Sequence, residues 1–374
     1  MGTSPHVKLA EKLDMNMTGA PKKGKDFSPA FLQYLEILFT PEEAEVASHL
    51  SVDPVRLTAE DVAKSSGRPV DEIDTALTQL VEKGVVIGLG GQYMLPVTPL
   101  LVNYHPFRDT EDEDTLKAAD LYQEYYIKDG FYKFYESSAA GTPHRRAVPV
   151  DQSIAGGQQV LSHEAIDHYL DQANMGAYAL APCPCRNRTE KMGIRECIDT
   201  FPVASCLFIG MPAMLMAGRG DGKQVDREEA KKYLEEMREA GLVMMADNAE
   251  EMTDGVICLC CGCCCSITRG LTRWDNPSAF ARSDFVAKVN DECVACGTCV
   301  DRCMFGAISV DDDADKAQID EGKCMGCGVC TVTCPSEALF LERLEREPIY
   351  ANSKELRHKV AVENEAAGQK RPLA

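Results

Sequence analysis

Apolar residues in the first quarter of the chain recur at helical spacing between turn residues. Residues 1–27 are polar, carry the basic cluster PKKGK and read as a mobile arm, with order beginning near Ser28. Phe31, Leu32, Leu35, Leu38 and Phe39 share one helical face. Thr40-Pro41-Glu42-Glu43 then combines an N-cap, a proline at the first helical position and a glutamate three residues on. Thr58 and Asp61 repeat that start signal, and Gly67 stops the helix. A third helix, from about Val70 to Lys83, puts Val70, Ile73, Leu77, Leu80 and Val81 on one face and ends at Gly84. The apolar runs 85–89 and 92–97 flank Gly90-Gly91, a hairpin signal.

This order, three helices and a hairpin over residues 28–105, resembles the winged-helix domain of bacterial regulators. The resemblance implies DNA binding through the third helix. That helix, however, carries Asp71, Glu72, Asp74 and Glu82 against Lys83, a balance that phosphate repels. A winged helix reused for protein contact fits better, with no nucleic acid as partner. Beyond it the pattern is more broken. An acidic linker, RDTEDEDT, precedes a segment dense in Tyr122, Tyr125, Tyr126, Phe131, Tyr132, Phe134 and Tyr135, which reads as a core-covering helix pair or a partner surface. Pro143-His144-Arg145-Arg146 is a basic spot suited to an anion or to nearby acids. A helix near 163–173 and a strand at 177–180 follow; Asp226 and Glu229 cap a helix that Gly241 ends, and a strand occupies 242–245. Short strands are expected at 285–289, 307–310 and 317–319, then a helix over 340–360 and a mobile last dozen residues.

A length of 374 residues predicts two or three domains. The N-terminal residues show no apolar signal core and no twin arginine, and no run reaches the roughly 18 apolar residues of a membrane span. A soluble, cytoplasmic protein in a reducing, anaerobic setting is expected. The net charge of −20 argues against nucleic acid and suits either docking to basic patches on redox partners or solubility alone.

The eighteen cysteines change the picture most. Adjacent pairs such as Cys260 and Cys261 make poor disulfides, so a bridged secreted scaffold is excluded. Cys293, Cys296, Cys299 and Cys303 form one C-x-x-C-x-x-C-x-x-x-C run, and Cys324, Cys327, Cys330 and Cys334 form a second, followed by Pro335. Both runs resemble the bacterial two-cluster ferredoxin pattern. In ferredoxins of that pattern the fourth cysteine of each run serves the other cluster. The resemblance therefore implies Cys293, Cys296, Cys299 and Cys334 on one [4Fe-4S] cubane, and Cys324, Cys327, Cys330 and Cys303 on the other. Met304 stands where the pattern has proline, a change that affects the turn and not ligation. Gly297, Gly326 and Gly328 let the backbone approach each cluster.

The other ten cysteines fall in two patches. Cys183, Cys185, Cys197 and Cys206 are spread over the first, while Cys258, Cys260, Cys261, Cys263, Cys264 and Cys265 crowd the string ICLCCGCCC. Ten thiols so placed point to metal, since free thiolates oxidise and repel. Zinc would take four cysteines in C-x-x-C knuckles, a form the C-x-C-C-x-C-C-C string does not have, and iron-sulfur chemistry is favoured by the downstream runs. The ten could hold two more cubanes with two thiols spare, or a linked or non-cubane cluster, with the two patches converging. Arg186 and Arg188 would offset cluster charge.

The whole resembles anaerobic 4Fe-4S dicluster-domain proteins. The expected fold class is α+β: a winged helix at 28–105, a central α/β Cys-rich metal-cluster domain at 106–282, a ferredoxin-like two-cluster domain at 283–342, and a C-terminal helix and tail at 343–374. The expected function is an iron-sulfur relay passing electrons through two ferredoxin-type clusters and one or two further clusters to or from a partner oxidoreductase. A reductase with a catalytic cluster at the ten-cysteine site and a redox-sensing winged-helix regulator are the alternatives.

Overall fold

The structure is a computed structural model that describes residues 3–16, 18–52, 55–108, 112–154, 158, 160–311, 315–345 and 349–368. The chain packs into two compact units: residues 1–140 with 187–194 and 357–374, and residues 141–186 with 195–356. The central Cys-rich region and the ferredoxin-like region thus share one unit, while residues 106–140 belong with the N-terminal part.

In the first unit the expected mobile arm is replaced by a helix, Pro5–Leu13. The small apolar content of the arm is spaced to fit one face, and Leu9, Ala10 and Leu13 are fully buried there. His6 Nε2 hydrogen-bonds with the Phe39 carbonyl at 2.8 Å. Ser28 caps Pro29–Leu38, and both expected capping boxes form, Thr40 with Glu43 and Thr58 with Asp61. Helix Val70–Lys83 buries Ile73, Leu77 and Leu80 and leaves Val70 exposed. Strand Leu57–Thr58 pairs with Gln92–Met94, which pairs with Ile87–Leu89 across the Gly90-Gly91 turn. The aromatic segment is core: Tyr122, Tyr125, Tyr126 and Phe131 are buried, and Tyr122 stacks on Tyr126 at 4.6 Å.

The second unit is built on a six-stranded antiparallel sheet. Its spatial order is Arg145–Ala147, Val243–Asp247, Gly255–Cys260, Ser205–Ile209, Tyr178–Pro182 and Lys223–Val225. One face packs Leu207, Ile209, Met244, Ile257 and Leu259 with Ala230 and Leu234 of helix Arg227–Ala240, and with Ile166, Tyr169 and Leu170. Each fully buried leucine or isoleucine in that layer contributes about 1.5–3 kcal/mol. Asp226 and Glu229 form the expected capping box on that helix, and Gly241 ends it at φ 114°. The basic spot at 143–146 pairs with acids: Arg145 with Asp247 at 2.9 Å and Arg146 with Asp284 at 3.0 Å.

Two hairpin-like pairs complete the unit, Phe285–Val289 with Leu339–Arg343 and Ile308–Asp311 with Lys316–Ile319. The helix expected over 340–360 is corrected here. Residues 339–343 form a strand, because Leu339 and Leu341 alternate into the core beside Phe285 and Ala287. A short parallel pair joins Ala249–Glu251 to Tyr350–Asn352, and the helix begins only at Ser353, running to Ala366. Of the last dozen residues, expected to be mobile, 369–374 lie outside those described. Among the described residues no helix is long and apolar enough to cross a membrane.

Candidate metal centres

All eighteen cysteines lie in the second unit, and all are free. The eight of the two ferredoxin-like runs line two separate cavities. Cys293, Cys296, Cys299 and Cys334 surround the first, together with Gly297, Thr298, Ala317 and Ser336. Cys303, Cys324, Cys327 and Cys330 surround the second, together with Val243, Arg302, Met304 and Gly328. In each, three thiols come from the C-x-x-C-x-x-C turn of one run and the fourth from the other run. Helix Thr298–Arg302 carries Cys299 at one end and leads into Cys303 at the other, so one short helix feeds both cavities.

Backbone N–H groups aim at these sulfurs. Ala317 donates to Cys293 at 3.4 Å, Ala307 to Cys303 at 3.3 Å, and both Ala287 and Gly326 to Cys324 at 3.4 Å. Such donors favour the thiolate and raise the potential of anything it ligates. The two cavities differ in depth. Cys296 is exposed and Val294 beside it is 63% exposed, whereas Cys324 and Cys330 are buried. Burial pushes the Cys327 thiol up to about 12. Four thiols standing back around an open cavity, with inward N–H donors, fit a cubane in both places.

The ten remaining cysteines do converge, and they form two groups. Strand register builds the first. Ala181 opposes Cys206, and continuing the pairing of Ile257 with Leu207 sets Cys206 across from Cys258. Because side chains alternate, Cys258 and Cys260 leave the strand on the face opposite Ile257 and Leu259. Cys183 follows the strand Tyr178–Pro182, and Cys185 sits in the first turn of helix Pro184–Lys191. The thiols then interact around a closed ring: Cys183 with Cys206, Cys206 with Cys258, Cys258 with Cys260, Cys260 with Cys265, Cys265 with Cys185, and Cys185 with Cys183. Cys260 and Cys265 are 3.2 Å apart.

The second group is Cys197, Cys261, Cys263 and Cys264, whose sulfurs all lie within 4.8 Å of one another. Thr268 Oγ1 donates to the Cys261 carbonyl at 2.7 Å and Thr272 Oγ1 to the Gly262 carbonyl at 3.0 Å, fixing the loop that presents three of them.

Arg186 serves both groups. Its side chain is fully buried, and it donates to the carbonyls of Val203 at 2.6 Å and Leu259 at 2.9 Å. Burial alone would lower its pKa, but the facing sulfurs of Cys183, Cys261, Cys206 and Cys260 outweigh this and raise it. Arg188 does not share the role expected of it. One turn of helix apart would keep two residues on one face, but a separation of two does not, and its guanidinium lies 3.3 Å over the Tyr122 ring.

Two features of the site were silent in the sequence. Met304 lies against Gly262, where an added Cβ would stand 3.1 Å from the Met304 Cβ, so the residue replacing proline touches the Cys-rich loop. The partition of ten cysteines into six and four cuts across ICLCCGCCC, and nothing in the spacing announces it.

The sequence profile described as "4Fe-4S dicluster domain" matches residues 292–338. An archaeal-type glutamate synthase [NADPH] from Dehalococcoides mccartyi is 33% identical over 63 residues, 17% of this chain and 13% of that protein. The aliphatic sulfonate oxidoreductase, polyferredoxin-like subunit, of Pyrococcus furiosus is 30% identical over 84 residues, 21% of this chain and 49% of that one. Pyruvate synthase subunit PorD of Methanothermobacter marburgensis is 36% identical over 53 residues, 14% of this chain and 59% of that one. The chain thus spans less than two thirds of each of these relatives. No solved structure matches it. A ferredoxin-type iron-sulfur domain therefore occupies the C-terminal part of the chain.

Proposed function

We propose that this chain is an electron-transfer protein of an oxidoreductase system, with Cys293, Cys296, Cys299 and Cys334 holding one [4Fe-4S] cubane and Cys303, Cys324, Cys327 and Cys330 the other. The observation that carries this reading is the sorting of the eight thiols into two cavities, each drawing its fourth cysteine from the other run. When bound, such clusters supply one-electron redox chemistry.

The surroundings support a relay with three stations. The first cavity opens at the surface beside exposed Cys296 and Val294, where a partner can approach. The second is deeper, and Val243 on its wall pairs with Cys260 of the six-thiol ring. Met304 on the same wall touches Gly262. The ring and its neighbours would then be the inner station, with Arg186 balancing its charge. One relative is named as the polyferredoxin-like subunit of an oxidoreductase and another as a subunit of pyruvate synthase, which favours a redox protein as partner. For residues 28–105 we propose a winged helix used for protein contact. Its three-stranded sheet, with the last strand in the middle, and the acids of helix Val70–Lys83 support this.

Iron and acid-labile sulfide per chain, with EPR of anaerobically purified protein, test the reading. About eight irons from the two cubanes, plus further metal, is the expected result; fewer than eight with no paired cubane signals would overturn it. Cys303→Ser and Cys334→Ser should each perturb the cluster built mainly by the other run. A catalytic inner station is the second reading, favoured by a ring of six thiols where a cubane takes four; an exogenous ligand that shifts only its EPR signal would promote it.

A further inference from the structure

We propose that Cys197, Cys261, Cys263 and Cys264 form a closed mononuclear tetrathiolate site for one thiophilic metal ion, zinc or iron, separate from any cluster. The proposal refines the metal reading of the ten-cysteine region and leaves the two ferredoxin-type centres untouched.

The distances carry it. Cys197 Sγ lies 3.9 Å from Cys261 Sγ and 3.7 Å from Cys264 Sγ, while Cys263 Sγ lies 3.7 Å from Cys261 Sγ and 3.5 Å from Cys264 Sγ. A tetrahedral ion with metal–sulfur bonds of about 2.3 Å separates its ligands by about 3.8 Å. A cubane cannot be held this way, because each thiolate ends on a different iron and an iron–iron edge stands between any two. The same chain provides the contrast. The ferredoxin-type thiols stand back around open cavities, and among the described residues no three of them gather within 4.8 Å of one another. The six-thiol ring likewise contains no such compact group.

Chemistry and setting agree with the geometry. Four thiolates packed together without a cation would repel, whereas one divalent ion leaves a net charge of −2 that neighbouring cations can balance. Arg186 faces Cys261, and Arg273 faces Cys263 and Cys264 while pairing with Glu196 at 2.6 Å. Cys197, Cys261 and Cys264 are buried and Cys263 partly so, and every tetrahedral position belongs to a cysteine. A site closed in this way has no place for substrate and acts as a staple. It ties Cys197 to a loop 64 residues later, immediately beside the ring of six. That leaves Cys183, Cys185, Cys206, Cys258, Cys260 and Cys265 for the inner redox centre, in place of ten.

The test uses the full chain purified without oxygen. Zinc and iron per chain are measured for wild type and for Cys264→Ser. Loss of one zinc, or of one iron with its high-spin tetrathiolate Mössbauer doublet, supports the site and identifies the metal. Loss of about four irons, or of no metal, overturns it. Should Cys264→Ser fail to fold, X-ray absorption on the wild type decides. A zinc edge with four sulfurs near 2.3 Å and no metal neighbour, or the mononuclear iron doublet, supports the proposal, and absence of both overturns it. The two cubane EPR signals, counted in the same samples, report separately on the ferredoxin-type centres.

Discussion

Two buried charges make the sharpest predictions for single residues. Arg186 stands between both thiol groups. Replacing it with glutamine removes a positive charge that favours the more negative, reduced state. The inner centre should therefore become harder to reduce by tens of millivolts, in voltammetry that resolves it from the ferredoxin-type couples, which should not move. Asp284 is buried between His163, at 3.4 Å, and Arg146. Desolvation would raise its pKa, but the hydrogen bond from His163 and the Arg146 charge outweigh it and hold the carboxyl below its usual range. A depressed folded-state pKa means the stabilisation is complete above the unfolded value and disappears as pH falls through the folded one. Asp284→Asn, which leaves Arg146 without its ion pair, should cost about 3 kcal/mol at neutral pH. Melting curves of variant and wild type should converge as the pH drops below roughly 4. His163 and Glu164 also meet Asp284 in a compact group, yet the arginines Arg146 and Arg343 already pair the two acids, so no cation is needed there.

At the scale of elements, the two ferredoxin-like turns have the same motif and different neighbours. Gly297 and Gly328 each follow the second cysteine of a run and have φ of 78° and 76°. Nothing lies within 4 Å of a Cβ built at Gly297, while one at Gly328 would meet Leu341 at 3.0 Å and Val150 at 3.1 Å. Gly297→Ala should cost about 1–2 kcal/mol of backbone strain and keep its iron. Gly328→Ala adds a collision with the inter-strand core, and iron content should fall by the share of one cluster. This asymmetry explains what could be read from the sequence and what could not. Capping boxes at Thr40, Thr58 and Asp226 and the strand Phe285–Val289 were legible, because each rests on residues a few positions apart. The helix Pro5–Leu13 was hidden by the polar residues that surround it in the arm, and the strand Leu339–Arg343 was merged with the helix that follows although Pro348 and Asn352 separate the two. The thiol partition was illegible for a deeper reason. Cys197 and Cys206 are close in sequence but join different groups, since only the sheet register decides which sulfur each one meets.

For the whole molecule, thiols are a structural material as well as the ligands of the relay proposed above. Cys197, Cys261 and Cys264 sit within the main core of the second unit, and Cys299, Cys324 and Cys330 within its smaller one. Stripping metal with a strong chelator should therefore loosen that unit while the first, with its own aromatic core, keeps its protection. Hydrogen exchange should accelerate at 258–265 and 293–334 and change little at 28–105; uniform acceleration would contradict the division. Strand Gly255–Cys260 adds a last consequence. It presents hydrocarbon from Ile257 and Leu259 to one side and sulfur from Cys258 and Cys260 to the other. A slip of one residue would exchange these faces, taking Ile257 and Leu259 out of their core layer and withdrawing two donors from the ring in the same stroke. Metal capture at the ring, as proposed above, would thus proofread the sheet, and a chain that had taken up its full complement would, by that fact, have found its register.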